Sequence, residues 1–121
     1  MRSRHQLLPA LLLAAALLAG CTADRGQDDA TSGPPTQGVT QVVAKQIRFT
    51  PAAIQVPAGT TVTWAFQDGQ VPHDVKGDGF SSGKPQASGT FYHTFQQPGS
   101  YDYACTLHPQ MTGRIVVTAG P

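Results

Sequence analysis

The chain has 121 residues, which is enough for one domain of ordinary size and not for two. Charged residues make up 12% of it, about half of the roughly 25% typical of soluble proteins, and the formal net charge is +1. The sequence has no run of basic residues, so it lacks the electrostatic pattern of proteins that bind a phosphate backbone. This composition excludes nucleic acid as a partner.

The first 20 residues have the pattern of a secretory signal peptide. Arg2 and Arg4 precede an apolar stretch over residues 7–19, which is too short for a hydrocarbon core that needs about 20 helical residues. The stretch ends in Leu-Ala-Gly-Cys at residues 18–21, which resembles the lipobox of bacterial lipoproteins. We predict cleavage before Cys21, lipid on its sulfur, and an extracytoplasmic location in the cell envelope, anchored to a membrane. An ordinary signal peptide with Cys21 incidental is the alternative.

Residues 21–38 are predicted to be the lipidated cysteine followed by a flexible linker. Beyond Cys21 the segment has no apolar side chain larger than alanine except Pro34 and Pro35, so it cannot bury enough surface to offset its ordering entropy. A coil of this length reaches roughly 20 Å. Such a linker would let the following domain stand away from the membrane and turn.

The remaining residues, 39–121, are predicted to form one all-β domain. They are rich in Val, Thr, Gly and Pro and contain no Glu, a composition that favours strands over helices. Turn signals such as Pro-Ala-Gly and Asp-Gly separate short segments of alternating polarity. The spacing predicts a Greek-key β-sandwich of about seven to eight short strands. The predicted strands cover residues 39–49, 54–56, 61–66, 71–75, 90–95, 101–105 and 114–118.

Cys105 is the single cysteine of this domain. Oxidising compartments convert thiols to disulfides, so metal ligation is the leading explanation for a cysteine without a partner. Cys105, His108 and Met111 follow one another at intervals of three residues, on a predicted loop between two strands. A type 1 copper site needs one further imidazole, and His73 supplies it from the adjacent segment over residues 71–75. Each residue alone would more often be structural, but the four together predict a copper site.

The stretch over residues 49–117 resembles the small blue copper proteins, the plastocyanin and amicyanin family of cupredoxins. Phe-x-Pro-x-x-Ile-x-Val at residues 49–56 resembles the first hairpin of the family, and Pro-His at residues 72–73 resembles its upstream ligand motif. Cys-Thr-Leu-His-Pro-Gln-Met at residues 105–111 resembles the short ligand loop of amicyanin. The resemblance implies a cupredoxin sandwich, one-electron transfer and one copper ion, with four ligands: His73, Cys105, His108 and Met111.

The sequence departs from the family at two positions beside these ligands. Asp74 stands where Asn is usual, and an ionised carboxylate accepts hydrogen bonds but cannot donate them. Its negative charge is expected to favour Cu(II) and lower the reduction potential. Leu107 stands where proline is common, which predicts a softer loop. The residues expected to support the ligands are Pro72, Asp74, Thr106 and Pro109.

His93 is not placed among the ligands. It alternates with Phe91 and Phe95 along a predicted strand, so its side chain is expected at the core or its margin. The family carries an apolar residue at this place. We therefore interpret His93 as a structural residue.

Four protein ligands leave no coordination position for a substrate, so we expect an electron carrier and not an enzyme. The edge of His108 is expected near the surface, where a monomer would meet redox partner proteins through a small, transient contact. A copper-binding lipoprotein for copper storage or delivery is the alternative, although the chain has only two methionines, one of them Met1. A β-sandwich module with an incidental metal is a third reading, which four intact ligands disfavour.

Overall fold

The computed structural model describes residues 30–120, and every regular element within them is a β-strand. Three of these strands have only two residues. The elements are β1 Thr36–Gln37, β2 Gln41–Lys45, β3 Arg48–Thr50, β4 Ala53–Pro57, β5 Thr60–Gln67, β6 Lys76–Gly77, β7 Phe80–Ser81, β8 Ser88–Phe95, β9 Gly99–Cys105 and β10 His108–Thr118.

The strands form two sheets that pack as a sandwich. One sheet has the order β1-β4-β10-β9-β6-β7, and the other has the order β3-β2-β5-β8. The pairs β4–β10 and β2–β5 are parallel, whereas β9–β10 and β5–β8 are antiparallel. This arrangement confirms the predicted all-β sandwich. The described strands outnumber the predicted seven to eight because pairs as short as β6 and β7 carry no detectable alternation of polarity.

Two predicted strands differ from the structure. The predicted strand over residues 39–49 is divided into β2 and β3 by a turn in which Gln46 and Ile47 have φ of 54° and 57°. Such turns usually contain glycine or asparagine, so this one has no signal in the sequence. Residues 71–75 form no regular strand; His73 makes an isolated bridge with Gln86 instead.

The ordered domain begins earlier than we expected. Residues up to 38 were predicted to be flexible linker, but Thr36 and Gln37 form β1, which pairs in parallel with β4. Thr31 is only 5% exposed. The open edge of β4 offers backbone hydrogen bonds, and these stabilise a segment whose side chains bury little apolar surface. The linker prediction is therefore wrong for residues 30–38.

The other N-terminal predictions concern residues before this segment. The signal peptide over residues 1–20, Cys21 and residues 22–29 of the linker lie outside the described residues. Within residues 30–120, no helix has the length and apolar character needed to cross a membrane.

The core lies between the sheets and is centred on Trp64 of β5. Trp64 is fully buried, and aromatic pairs around it stabilise the fold beyond the burial of their area. The same buried cluster continues to one end of the sandwich, where it includes Cys105 and Met111. The rings around Trp64, at centroid distances of 5.4–6.3 Å, are those of Phe80, Phe91, Phe95 and Tyr103.

The ring of Tyr103 lies across Gly113 of the neighbouring strand. The two residues are register partners in the β9–β10 pair, and a Cβ atom on Gly113 would overlap the phenol ring. The ring of Tyr103 also makes an edge contact with Phe49 at 4.8 Å. Burial raises the pKa of Tyr103 well above its usual value, so the hydroxyl stays protonated. Gly113 thus permits close packing of β10 against the core.

We expect Gly113→Ala to destabilise the domain by about 1–3 kcal/mol, because the added methyl group must displace a buried ring. In a domain of this size each kcal/mol lowers the melting temperature by roughly 4–8 °C, which thermal unfolding measures. Gly33→Ala is the matched control, since nothing lies within 4 Å of its added methyl group. Equal melting temperatures for the two variants would contradict the packing argument.

Candidate metal centre

Three predicted ligands come to one end of the sandwich from different segments. Cys105 ends β9 and His108 begins β10, and the two are register partners across a two-residue turn. His73 lies between β5 and β6, where its backbone exchanges hydrogen bonds of 3.0 and 2.9 Å with Gln86. We call this end of the sandwich the ligand end. The opposite end, where β4 and β10 finish, is the far end.

The side chains of His73, Cys105 and His108 converge. One ligand atom from each residue lies within 4.8 Å of the other two. Cys105 Sγ is 3.5 Å from His108 Nδ1, and the centroids of the two imidazole rings are 5.0 Å apart. His73 and Cys105 are almost fully buried, whereas His108 is half-buried. Two nitrogens and one sulfur therefore surround one point, and His108 is the most accessible of the three ligands.

Met111 lies beside this group, at an interruption of the sheet. The pairing of β10 with β9 shifts between His108 and Thr112. We expected a loop here, but the structure places these residues within β10. Such an irregularity changes the direction of side chains along a strand. Met111 is 1% exposed and packs in the same buried cluster as Cys105.

Asp68 fixes the orientation of His73. The Nε2–H group of His73 donates a hydrogen bond of 2.7 Å to Asp68 Oδ2, and this bond holds the pKa of the Asp68 carboxyl below its usual value. Because Nε2 carries the proton, Nδ1 carries the lone pair. Nδ1 is buried and has no hydrogen-bond partner among the described residues. A buried acceptor in this state is costly, and a metal ion bound there removes the cost.

The set of donor atoms fits copper. Two imidazoles and a thiolate with a weak thioether are the ligands of type 1 copper. The buried Nδ1 of His73 and the neighbouring Sγ and Nδ1 atoms of Cys105 and His108 provide the first three. Met111 provides the thioether. With four protein ligands, the site leaves no position for a substrate.

Asp74 connects the two segments that carry the buried ligands. It follows His73, and its Oδ1 accepts a hydrogen bond of 2.6 Å from the backbone N–H of Thr106, the residue after Cys105. Its Oδ2 accepts a second hydrogen bond from the Thr106 hydroxyl. The carboxylate thus acts as an acceptor twice. It restrains the turn that joins Cys105 to His108.

The remaining predicted residues lie at the margin of the site or outside it. Pro72 and Pro109 are exposed and flank His73 and His108 in the sequence. His93 is not part of the ligand group within the described residues. Its ring stacks on Phe80 at a centroid distance of 5.0 Å. This contact agrees with the structural interpretation of His93.

Sequence reasoning missed Asp68. Metal-binding histidines commonly donate their second N–H group to a carboxylate, which sets the tautomer and the ring orientation. A carboxylate five residues before the candidate ligand His73 was therefore a usable signal. It was overlooked because the Asp-Gly pair at residues 68–69 was interpreted only as a turn signal between two predicted strands.

Known proteins share these features. A family model described as a cupredoxin-like domain matches residues 10–117. Amicyanin-alpha from Methylorubrum extorquens is 35% identical over 66% of this chain and 72% of its own length. Amicyanin from Paracoccus versutus is 33% identical over 97% of this chain and 99% of its own length.

Solved structures show the same likeness. The purple cupredoxin from Nitrosopumilus maritimus has a TM-score of 0.60 at 29% identity, over 66% of this chain and all of that one. A reduced amicyanin variant has a TM-score of 0.58 at 31% identity, over 67% of this chain and 83% of that one. Together with the ligand geometry, these likenesses identify a one-copper protein that transfers electrons and is not an enzyme. The chain therefore belongs to the cupredoxin-like family.

Proposed function

We propose that this protein is a single-electron carrier with a type 1 copper site, tethered to the outside of a bacterial membrane through lipid on Cys21. The observation that carries the copper site is the buried Nδ1 of His73, which lacks a hydrogen-bond partner among the described residues and lies in the group with Cys105 and His108. Bound copper supplies one-electron chemistry by alternating between Cu(I) and Cu(II).

The surrounding residues restrain the ligands. Asp68 and the backbone of Gln86 hold His73 from two sides. Asp74 holds the turn after Cys105 by two hydrogen bonds from Thr106. Ligands restrained in this way move little when the site gains or loses an electron. A small change in geometry favours fast electron transfer over chemistry on a substrate.

The surface around His108 suits brief contacts with redox partner proteins. His108 is half-buried, and Leu107 beside it is 47% exposed. Ile47 is 50% exposed and shares a surface groove with Pro109. Scattered apolar side chains of this kind form a small contact area, which is typical of transient redox encounters. The exposed large apolar side chains within residues 30–120 are Ile47, Val71, Tyr92 and Leu107, and we propose that the protein is a monomer.

Membrane attachment is supported by the order of segments before residue 22. Arg2 and Arg4, the apolar stretch over residues 7–19 and the Leu-Ala-Gly-Cys sequence follow one another as in bacterial lipoproteins. Acyl chains contribute about 0.8 kcal/mol for each buried CH₂ group, so two or three of them hold a small domain stably on a membrane.

Storage or delivery of copper is the alternative function, and the site disfavours it. A protein that delivers copper must release the ion readily. Here His73 and Cys105 are almost fully buried, and hydrogen bonds restrain both ligand segments. These features favour retention of the metal in both oxidation states.

Copper added to the mature protein is expected to give an intense blue absorption from charge transfer between the Cys105 thiolate and Cu(II). We expect Cys105→Ala to abolish it, because the variant lacks the thiolate. Absorption spectroscopy of the oxidised protein measures both. His93→Gln is the control, since it lies outside the ligand group and should keep the colour. A colourless wild-type copper complex would exclude a type 1 site.

Repeated redox cycling of the blue protein distinguishes an electron carrier from a copper-delivery protein. The protein is reduced and reoxidised several times at neutral pH, and bound copper is counted after each cycle. A carrier retains its copper throughout. Loss of copper at every reduction, with transfer to an acceptor that lacks metal, would show delivery instead.

Asp74→Asn is expected to raise the reduction potential, because it removes a buried negative charge that favours Cu(II) and keeps an acceptor for the Thr106 N–H group. The expected rise is on the order of 50 mV, close to a tenfold change in a one-electron equilibrium constant. Voltammetry measures the potential. Asp78→Asn removes the same charge from an exposed turn and serves as the control. If the two variants had equal potentials, the charge of Asp74 would have no special effect.

Full-length protein produced in bacteria is expected to partition into a detergent phase, because lipid on Cys21 anchors it. Cys21→Ser should leave the precursor uncleaved or release a water-soluble product. Phase partitioning and mass spectrometry of the N-terminal peptide measure the two outcomes. The lipid-anchor proposal fails if the wild-type protein is water-soluble and begins near residue 21 with a free amine.

A further inference from the structure

The segment over residues 30–38, here called the strap, runs along the sandwich from the ligand end towards the far end. Ala30 lines a groove together with Pro109 and Met111, at the ligand end. Thr31 is 5% exposed, and its carbonyl oxygen accepts a hydrogen bond of 3.4 Å from Arg114 Nη1. The strap then continues into β1, which pairs with β4.

The direction of the strap follows from the pairing of its strand. β4 and β10 run in parallel from the ligand end to the far end, and β1 is parallel to β4, with Thr36 opposite Ile54. β2 then runs back towards the ligand end, in parallel with β5. Ala30 lies beside Thr112, whereas Gln37 lies level with Val116 through its partner Gln55. At about 3.3 Å per residue of β10, the strap therefore advances roughly 13 Å along the sandwich.

The strap therefore moves the point at which the N-terminal chain leaves the domain. A linker that extended to residue 38 would leave from the half of the domain nearer the far end. Because the strap is bound to the sandwich, the chain leaves the domain at Ala30, beside the residues that follow the ligand His108. Nine residues, 22–30, then separate Cys21 from Thr31. Fully extended, nine residues reach at most about 30 Å.

We propose that the strap holds the ligand end close to the membrane, so that the copper site exchanges electrons with a redox protein fixed in the same membrane. This inference rests on the lipid anchor at Cys21 proposed above. One electron passes between copper and a one-electron cofactor of that protein, and no bond is formed or broken. The exposed Leu107 and half-buried His108 at the same end provide the contact surface.

The test uses the mature lipoprotein loaded with copper and bound to liposomes. The reduced protein is oxidised by ferrocenium, which takes one electron from Cu(I) and leaves ferrocene and Cu(II). The return of the blue absorption gives the rate. Ferrocenium linked to a lipid headgroup is compared with water-soluble ferrocenium, because only the first is confined to the membrane surface.

Two variants of equal length distinguish the effect of the strap from that of the residues before it. In one variant, Gly and Ser replace residues 30–37; in the matched control, they replace residues 22–29. We expect the strap variant to react about fivefold more slowly than wild type with lipid-linked ferrocenium, because its copper site moves away from the surface. All three proteins should react equally with soluble ferrocenium, which shows that the site is intact. Equal rates with the lipid-linked oxidant would overturn the proposal.

Failure of the lipid anchor is a separate outcome. If the wild-type protein does not stay on liposomes, the same three proteins are held by a hexahistidine at position 21 on nickel-chelating lipids. If the strap is bound to the sandwich, the three proteins on nickel-chelating lipids should show the same order of oxidation rates. Loss of that order overturns the strap proposal, whether or not Cys21 carries lipid.

Discussion

One carboxylate oxygen, Oδ2 of Asp68, joins the metal site to the fold. It accepts a hydrogen bond of 2.7 Å from His73 Nε2 and another of 2.9 Å from the backbone N–H of Gln46. Gln46 belongs to the turn between β2 and β3, in the smaller sheet, whereas Cys105 and His108 belong to the larger sheet. The three ligands therefore converge only when both sheets are packed together. Assembly of the site depends on the sandwich as a whole.

No boundary separates this site from the hydrophobic core. Cys105 and Met111 are members of the same buried cluster as Trp64 and Tyr103, so core packing positions two of the four ligands. The imidazole of His73 is equally buried, and its Nδ1 has no hydrogen-bond partner among residues 30–120. A metal ion that binds the native chain and not the unfolded one would stabilise the native state by mass action. His73 Nδ1, Cys105 Sγ and His108 Nδ1 would hold that ion at this end of the domain.

The grouping of the candidate ligands could be predicted from the sequence because their chemistry is rare and three of them are close in the chain. Cys105, His108 and Met111 lie on seven consecutive residues, and the second imidazole nitrogen had one good source in His73. The two hydrogen bonds that Asp68 accepts and the burial of Thr31 could not be predicted in this way, because both depend on contacts between distant segments. Edge pairing is especially hard to foresee: the strap has the composition of a linker, and backbone hydrogen bonds to β4 hold it in place.

The pairing of Cys105 with His108 has a consequence for the kinetics of metal loss. The two residues close the end of the β9–β10 hairpin, and ends of hairpins open locally far more often than a whole domain unfolds. Opening of this end would ease release of a bound ion, since His73 and Cys105 are otherwise almost fully buried. Asp74 lies outside the hairpin and accepts a hydrogen bond from the turn. This bond opposes the opening. Local stability of this one turn would therefore affect the lifetime of a bound metal ion even while the rest of the sandwich stays folded.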